Sequence, residues 1–256
     1  MASDWASTYP PASGRTSGWS RHSAFSNKFP VAEHCSSAAA LCTTMEAISL
    51  RRIRCLDGLH YSFQLLRHYH SGLWETCCEI PLDNGKVIPV LAACWGFVDA
   101  LHRIREIAQT IPGLSTKRAE MRAFLTASSL AEEYRHYIQH LRRELAKDPP
   151  NSFPVWGTLS WADEDNPKKA HTALLGAQIL GTSYSSCVYD SQERKWVSKV
   201  CLGVNNKSFN FDTIFDSSIR FEGFVLSFLL EGASDEIKFH EKLPIFSVEF
   251  VERTIA

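Results

Sequence analysis

The stretch "FLTASSLAEEYRHYIQHLRREL", Phe124 to Leu145, decides how the chain folds. Phe124, Ala127, Ala131, Tyr134, Ile138, Leu141 and Leu145 recur at alternating steps of 3 and 4, the spacing that lines up side chains along one side of an α-helix. The pattern predicts a helix from Thr116 to Lys147, closed by "DPP" (Asp148 to Pro150), because proline cannot continue a helix. Upstream, Leu59, Phe63, Leu66, His70, Leu73 and Cys77 predict a helix over Leu56 to Cys78. His70 falls on that apolar face, where a lone histidine reads as a core residue with its own hydrogen-bond partner. Val87, Leu91, Cys94, Val98 and Leu101, flanked by Trp95, predict another over Val87 to Thr110. "PLDNGK" (Pro81 to Lys86) reads as a turn with Asn-Gly supplying a positive φ, and "IPGLS" (Ile111 to Ser115) as a break. Three long helices joined by short loops imply an antiparallel bundle.

Beyond Pro150 the texture changes. "FPVWGTLSW", "SYSSCVYD", "KWVSKVCLGV" and "PIFSVEFVE" are β-branched and aromatic runs between polar turns, which is the signature of strands. "DTIFDSSIRFEGFVLSFLLEG" (Asp212 to Gly232) is ambiguous: its length favours a helix, its aromatics and Gly223 a strand. The expected fold class is therefore α+β, with a helical bundle at 45–150 and a mainly β region at 151–256. Residues 1–44, rich in Ser, Pro and Gly and without period, read as a disordered extension.

At 256 residues, 45% hydrophobic and 21% charged, the chain can bury a sizeable core. A net charge of −1 supplies no chain-wide field that draws nucleic acid or anionic membrane, so RNA contact would rest on a local basic patch. The longest apolar run, Val87 to Val98, is shorter than the roughly 20 residues of a membrane span, and no membrane partner is expected. Eight cysteines without a CxxC pair suggest free thiols packed as small hydrophobes in a reducing cytoplasm. The vicinal Cys77 and Cys78 are a candidate redox pair. Gly-rich phosphate loops, Gly-x-Ser-x-Gly elbows and His-Glu-x-x-His words are absent, which counts against the chemistry each carries.

On a helical wheel of about 100° per residue, the apolar set of the opening stretch occupies one arc. Glu132, Arg135, His136, Gln139, His140 and Arg143 gather on the opposite side. The preceding helix brings Asp99, Glu106 and His102 beside its own apolar stripe. Exposed charges at such spacing are often no more than a solvated face, worth tenths of a kcal/mol. Two acid-x-x-His words, Asp99–His102 and Glu133–His136, keep a metal-binding bundle open, although a fourth helix with an inward Glu is not evident. His136 and His140, one turn apart, offer a further metal pair. A non-enzymatic, dimeric interaction protein is the remaining class, in which Trp156 and Trp161 stack a base or, more commonly, fill a core.

Arg135-x-x-x-x-His140 resembles the Rx4-6H signature of the HEPN superfamily, small helical bundles found in many prokaryotic toxin and defence ribonucleases. The resemblance spans residues 56–147. It places the motif on a late helix, with a polar residue (His136) after the arginine and an acid (Asp99 or Glu106) on an earlier helix. Asparagine is the commoner residue at the position of His136. The resemblance implies RNA binding or metal-independent RNA cleavage with no cofactor, a homodimer, and a possible antitoxin partner. RNA carries its own nucleophile, the 2′-hydroxyl. Cleavage then needs a group that exchanges protons near neutral pH and a fixed cation at the phosphate. His140 is expected to be the acid/base, Arg135 the phosphate group and Asp99 the residue that orients a partner. His136 is a further catalytic candidate, and Gln139 and Arg143 are candidate RNA-binding residues.

Overall fold

Gly72 interrupts the first predicted helix. The computed structural model describes residues 50–147, 154–166, 168–177, 188–190, 192–231 and 247. In it the first span divides into α1 (Leu50–His70) and α2 (Leu73–Glu79). Gly72 adopts a φ of 73° between them, a left-handed conformation that favours glycine. The predicted face holds: Leu59, Phe63, Leu66, Leu73 and Cys77 are all buried. The Pro81–Lys86 turn forms by another route than expected. The Asp83 carboxylate accepts the Gly85 N–H (2.8 Å) at the start of a short 3-10 turn, and neither Asn84 nor Gly85 has a positive φ.

α3 (Val87–Thr110) has the predicted bounds and packs on both α1 and α2. By length and composition it is apolar enough to cross a membrane. It is also the central core helix, burying Cys94, Phe97, Val98, Leu101 and Ile104.

The third predicted helix is not continuous. It is broken into α4 (Ala119–Ala127), α5 (Ser129–Gln139) and α6 (Leu141–Leu145). At the first break Ser128 Oγ donates to the Phe124 carbonyl (2.6 Å). Arg105 reaches in from α3, donating through Nη1 to the Leu125 carbonyl (2.6 Å) and to Ser128 Oγ (2.7 Å). A cation thus satisfies a carbonyl that the last turn of α4 leaves open. The break rotates the buried face: Ser128 and Tyr137 are buried where the period predicted Ala127, which is exposed, and Leu145 is 59% exposed.

The α+β expectation holds. Strands β1 (Thr158–Ala162), β2 (Ala170–Leu174), β5 (Val200–Val204) and β6 (Lys207–Asn210) form an antiparallel sheet in the order β2-β1-β5-β6. β3 (Tyr189–Asp190) and β4 (Lys195–Trp196) pair separately. Asn205 and Asn206, with φ of 51° and 59°, make the tight β5–β6 turn, a conformation asparagine tolerates better than most residues. The ambiguous stretch is a helix, α7 (Phe211–Leu230). Its buried residues Ile214, Ser218, Phe221, Val225 and Leu229 keep helical steps, and Gly223 has open space around it. α7 packs on α1 and α4, where Phe221 stacks on Phe124 at 4.0 Å. Phe97 of α3 meets Phe209 of β6 and Phe211 of α7 edge-on, so helices and sheet share one hydrophobic core. The extension at 1–44 lies outside the described residues, as does "PIFSVEFVE" apart from Ser247.

His70 is half-buried and has the partner a core histidine requires. Its Nε2 lies 3.0 Å from Asp212 Oδ1, and its ring stacks on Phe215 at 3.9 Å. Burial raises the Asp212 carboxyl, but His70, the Lys199 backbone N–H and the Ser198 hydroxyl outweigh it and hold the pKa at about 2, below the ordinary 3.8. The folded-state pKa is depressed, so this contribution to stability is complete above about pH 4 and is lost as pH falls towards 2. Asp212→Asn is therefore expected to flatten the acid limb of the unfolding midpoint against pH. An acid limb as steep as in the unaltered protein would contradict this.

Cys55, Cys77, Cys78 and Cys94 are free thiols. Burial pushes up the pKa of both Cys77 and Cys78, the opposite of an activated thiolate. Cys201 departs from the free-thiol expectation. It is disulfide-bonded.

Candidate functional site

α5 meets α3 along a line of charged pairs. Asp99 of α3 is ion-paired with Arg135 of α5 and also with Arg103 at 2.5 Å. On the guanidinium's other edge lies the Gln139 amide, which with its oxygen turned to the arginine accepts from Arg135 Nη2 (2.9 Å) and Nε (3.0 Å). Only 25% of the Arg135 side chain is exposed. Asp99 thus contacts the arginine directly. Gln139 adjoins the same group.

One turn further along the same pair of helices, Arg105 donates through Nη2 to Glu132 Oε2 at 3.1 Å. The sequence reading missed Arg105. Its signal was available, because it continues the apolar stripe of Cys94, Val98 and Leu101 by one further step of 4. A charged residue on a buried stripe must find partners.

His136 and His140 form a second cluster. Their ring centroids lie 4.4 Å apart. His140 stands at the junction of α5 and α6, where its carbonyl accepts the Arg143 and Glu144 N–H groups (2.8 and 3.1 Å). Arg143 Nη2 lies 2.8 Å from His136 Nε2.

A hollow of about 580 Å³ opens where α5, α6 and the β5–β6 turn adjoin, walled by His136, Tyr137, Arg143, Glu144, Lys147 and Asn205. Neither Arg135 nor His140 lines it. The site residues expected from sequence therefore fall into two neighbouring groups, Asp99–Arg135–Gln139 and His136–His140–Arg143. Lys147, Glu144 and Asn205 were not anticipated.

No protein-family model matches the chain. No curated protein matches it, and no solved structure does.

The acid-x-x-His words do not converge. Glu133 is ion-paired with Lys207 of β6, Asp99 is taken up by two arginines, and no trio of His, Cys, Asp or Glu among the described residues is placed to hold a metal. Of the two tryptophans, Trp161 is buried in β1 and stacks on His171 at 5.2 Å. Trp156 is 40% exposed and sits edge-on to Trp95. Tyr134 ties α5 to the sheet. Its buried hydroxyl accepts the Val204 N–H (3.1 Å) and lies 2.8 Å from the carbonyls of Leu202 and Lys207.

Proposed function

We propose that this chain is an HEPN-like protein that binds RNA and cleaves it without a metal ion. One observation carries the reading. The arginine of the Arg-x-x-x-x-His word is ion-paired to an acid of an earlier helix, and the same stretch carries two imidazoles 4.4 Å apart. An imidazole takes the proton of the 2′-hydroxyl as that oxygen bonds to phosphorus. A second proton donor protonates the departing 5′-oxygen as its bond to phosphorus breaks. A nearby guanidinium offsets the charge that builds on the phosphoryl oxygens. The resemblance further implies a homodimer with two such clusters.

The test is to incubate the full chain with RNA in the presence of a chelator. Strand cleavage is expected. If RNA is neither cut nor retained, the reading falls; if the chelator alone stops cleavage, a metal mechanism replaces it.

A second reading is favoured by the way Asp99 and Gln139 occupy Arg135 between them. On it the polar face is structural and the chain is an interaction protein. RNA would then go unbound, and Arg135→Ala would register only as a modest loss of stability.

A further inference from the structure

We propose that the end of the molecule where α3 stops, beside the first turns of α1, docks on an anionic phospholipid surface, with an acidic headgroup seated between Arg51 and Arg54 and Leu50 entering the apolar layer. The inference does not depend on the function proposed above.

A hollow of about 590 Å³ lies at this end, walled by Leu50, Arg51, Arg54, Cys55, Ile107 and Thr110. Arg51 and Arg54 are three apart on α1 and so share a side of the helix. Among the described residues no ion pair holds either arginine, and no carboxylate lines the hollow. The Thr110 hydroxyl is spent on the Ile107 carbonyl (2.8 Å). What the wall still offers is therefore two guanidiniums beside apolar surface, including a Leu50 that is 72% exposed.

Neighbouring segments add charge of the same sign. The Arg52 and Arg118 guanidiniums each lie 5.1 Å from the centre of the Phe228 ring, and Arg52 Nη2 donates to the Phe228 carbonyl at 3.1 Å. This contact joins the first turns of α1, the start of α4 and the end of α7. Segments 50–57, 115–122 and 228–231 carry six cations against three acids, in a chain with 27 basic and 28 acidic residues. Leu230, two residues past Phe228, is 43% exposed.

Cations alone suit any polyanion. Exposed leucines among them select a bilayer, which takes an apolar side chain below its headgroups and a cation at them. A nucleic acid would use the arginines and leave Leu50 idle. Net charge and the longest apolar run, from which no membrane partner is expected, do not register so local a patch.

The experiment is sedimentation of the full chain with vesicles of phosphatidylcholine and of an equal mixture with phosphatidylglycerol. Binding is expected to the anionic vesicles only, and should fall as salt is raised. Replacing both arginines (Arg51→Gln with Arg54→Gln) should weaken it roughly thirtyfold, at about a factor of five per cation near an anionic surface. Leu50→Ser should weaken it about tenfold. All three positions are exposed, so these variants should unfold at the parent's denaturant concentration. Leu82→Ser is the control: it removes a leucine that is 92% exposed, beyond the opposite end of α3, a helix about 36 Å long. It should change nothing, and neither should Arg142→Gln at an exposed position on α6. Absence of binding to anionic vesicles, or an equal loss in either control, would overturn the docking face. Vesicle binding that needs the two arginines, ignores Leu50 and is displaced by RNA would also overturn it, marking a general polyanion patch instead.

Discussion

Replacing His140 with alanine is expected to slow chelator-resistant RNA cleavage by roughly 100- to 10,000-fold, the usual contribution of a positioned acid or base. The substitution separates chemistry from folding. His140 is exposed, and the bonds that shape the α5–α6 junction run through its backbone. Its N–H donates to the His136 carbonyl at 3.1 Å, and its own carbonyl accepts the N–H groups of Arg143 and Glu144. Alanine keeps all of these. The variant should therefore unfold at the same denaturant concentration as the parent while losing activity. Cleavage at the parent rate by a folded His140→Ala protein would remove the imidazole from the mechanism. Arg135→Ala should reduce cleavage as well, but it also frees Asp99 and Gln139, so its effect mixes chemistry with support of the site.

Gly157→Ala is expected to destabilise the fold by about 3–5 kcal/mol, combining backbone strain with overpacking. Gly157 has a φ of 88° at the entry to β1, a region side chains rarely adopt. A Cβ there would lie 2.3 Å from the backbone oxygen of Gly203 and 2.8 Å from Val204 Cγ2. The first of these is backbone in a central strand, so relief requires β5 to move. β5 leads directly into the turn that carries Asn205, and the wall of the hollow would shift with it. Gly223→Ala is the control. Nothing lies within 4 Å of its would-be Cβ, and the position is exposed in α7. Alanine there should add about 0.5–1 kcal/mol. Chemical denaturation measures both, and a Gly157→Ala protein as stable as the parent would show that the strand entry adapts freely.

Much of the helical architecture is legible in residue spacing. Leu59, Phe63 and Leu66, or Cys94, Val98 and Leu101, declare a buried face because neighbours three and four apart share a side of any helix. The same logic exposed the polar word between Arg135 and His140. It failed at Ser128, where the stripe from Phe124 through Ala127 was extended straight across a break. A period along one helix does not register that Arg105, from another helix, enters beside Leu125 and Ser128. The ambiguity over Asp212 to Gly232 had a related source. Aromatics such as Phe221 suit either strand or helix, and a partner such as Phe124 decided between them.

Local period and chain punctuation, set by atoms a few bonds apart, are what the amino-acid order determined unaided: an α+β chain, the span of α3, and the gathering of Arg135, His136, Gln139, His140 and Arg143 on one polar face. Which of those side chains remains open to a ligand was decided only in three dimensions. Asp99 reaches Arg135 across the α3–α5 contact, and the β5–β6 turn brings Asn205 to the hollow that His136 and Arg143 line. Hydrogen-bonding capacity is finite, so Arg135, held by an acid from another helix, and Arg143, beside His136 with Glu144 at 3.7 Å, differ in what they can still bind. That difference depends on partners distant in the chain.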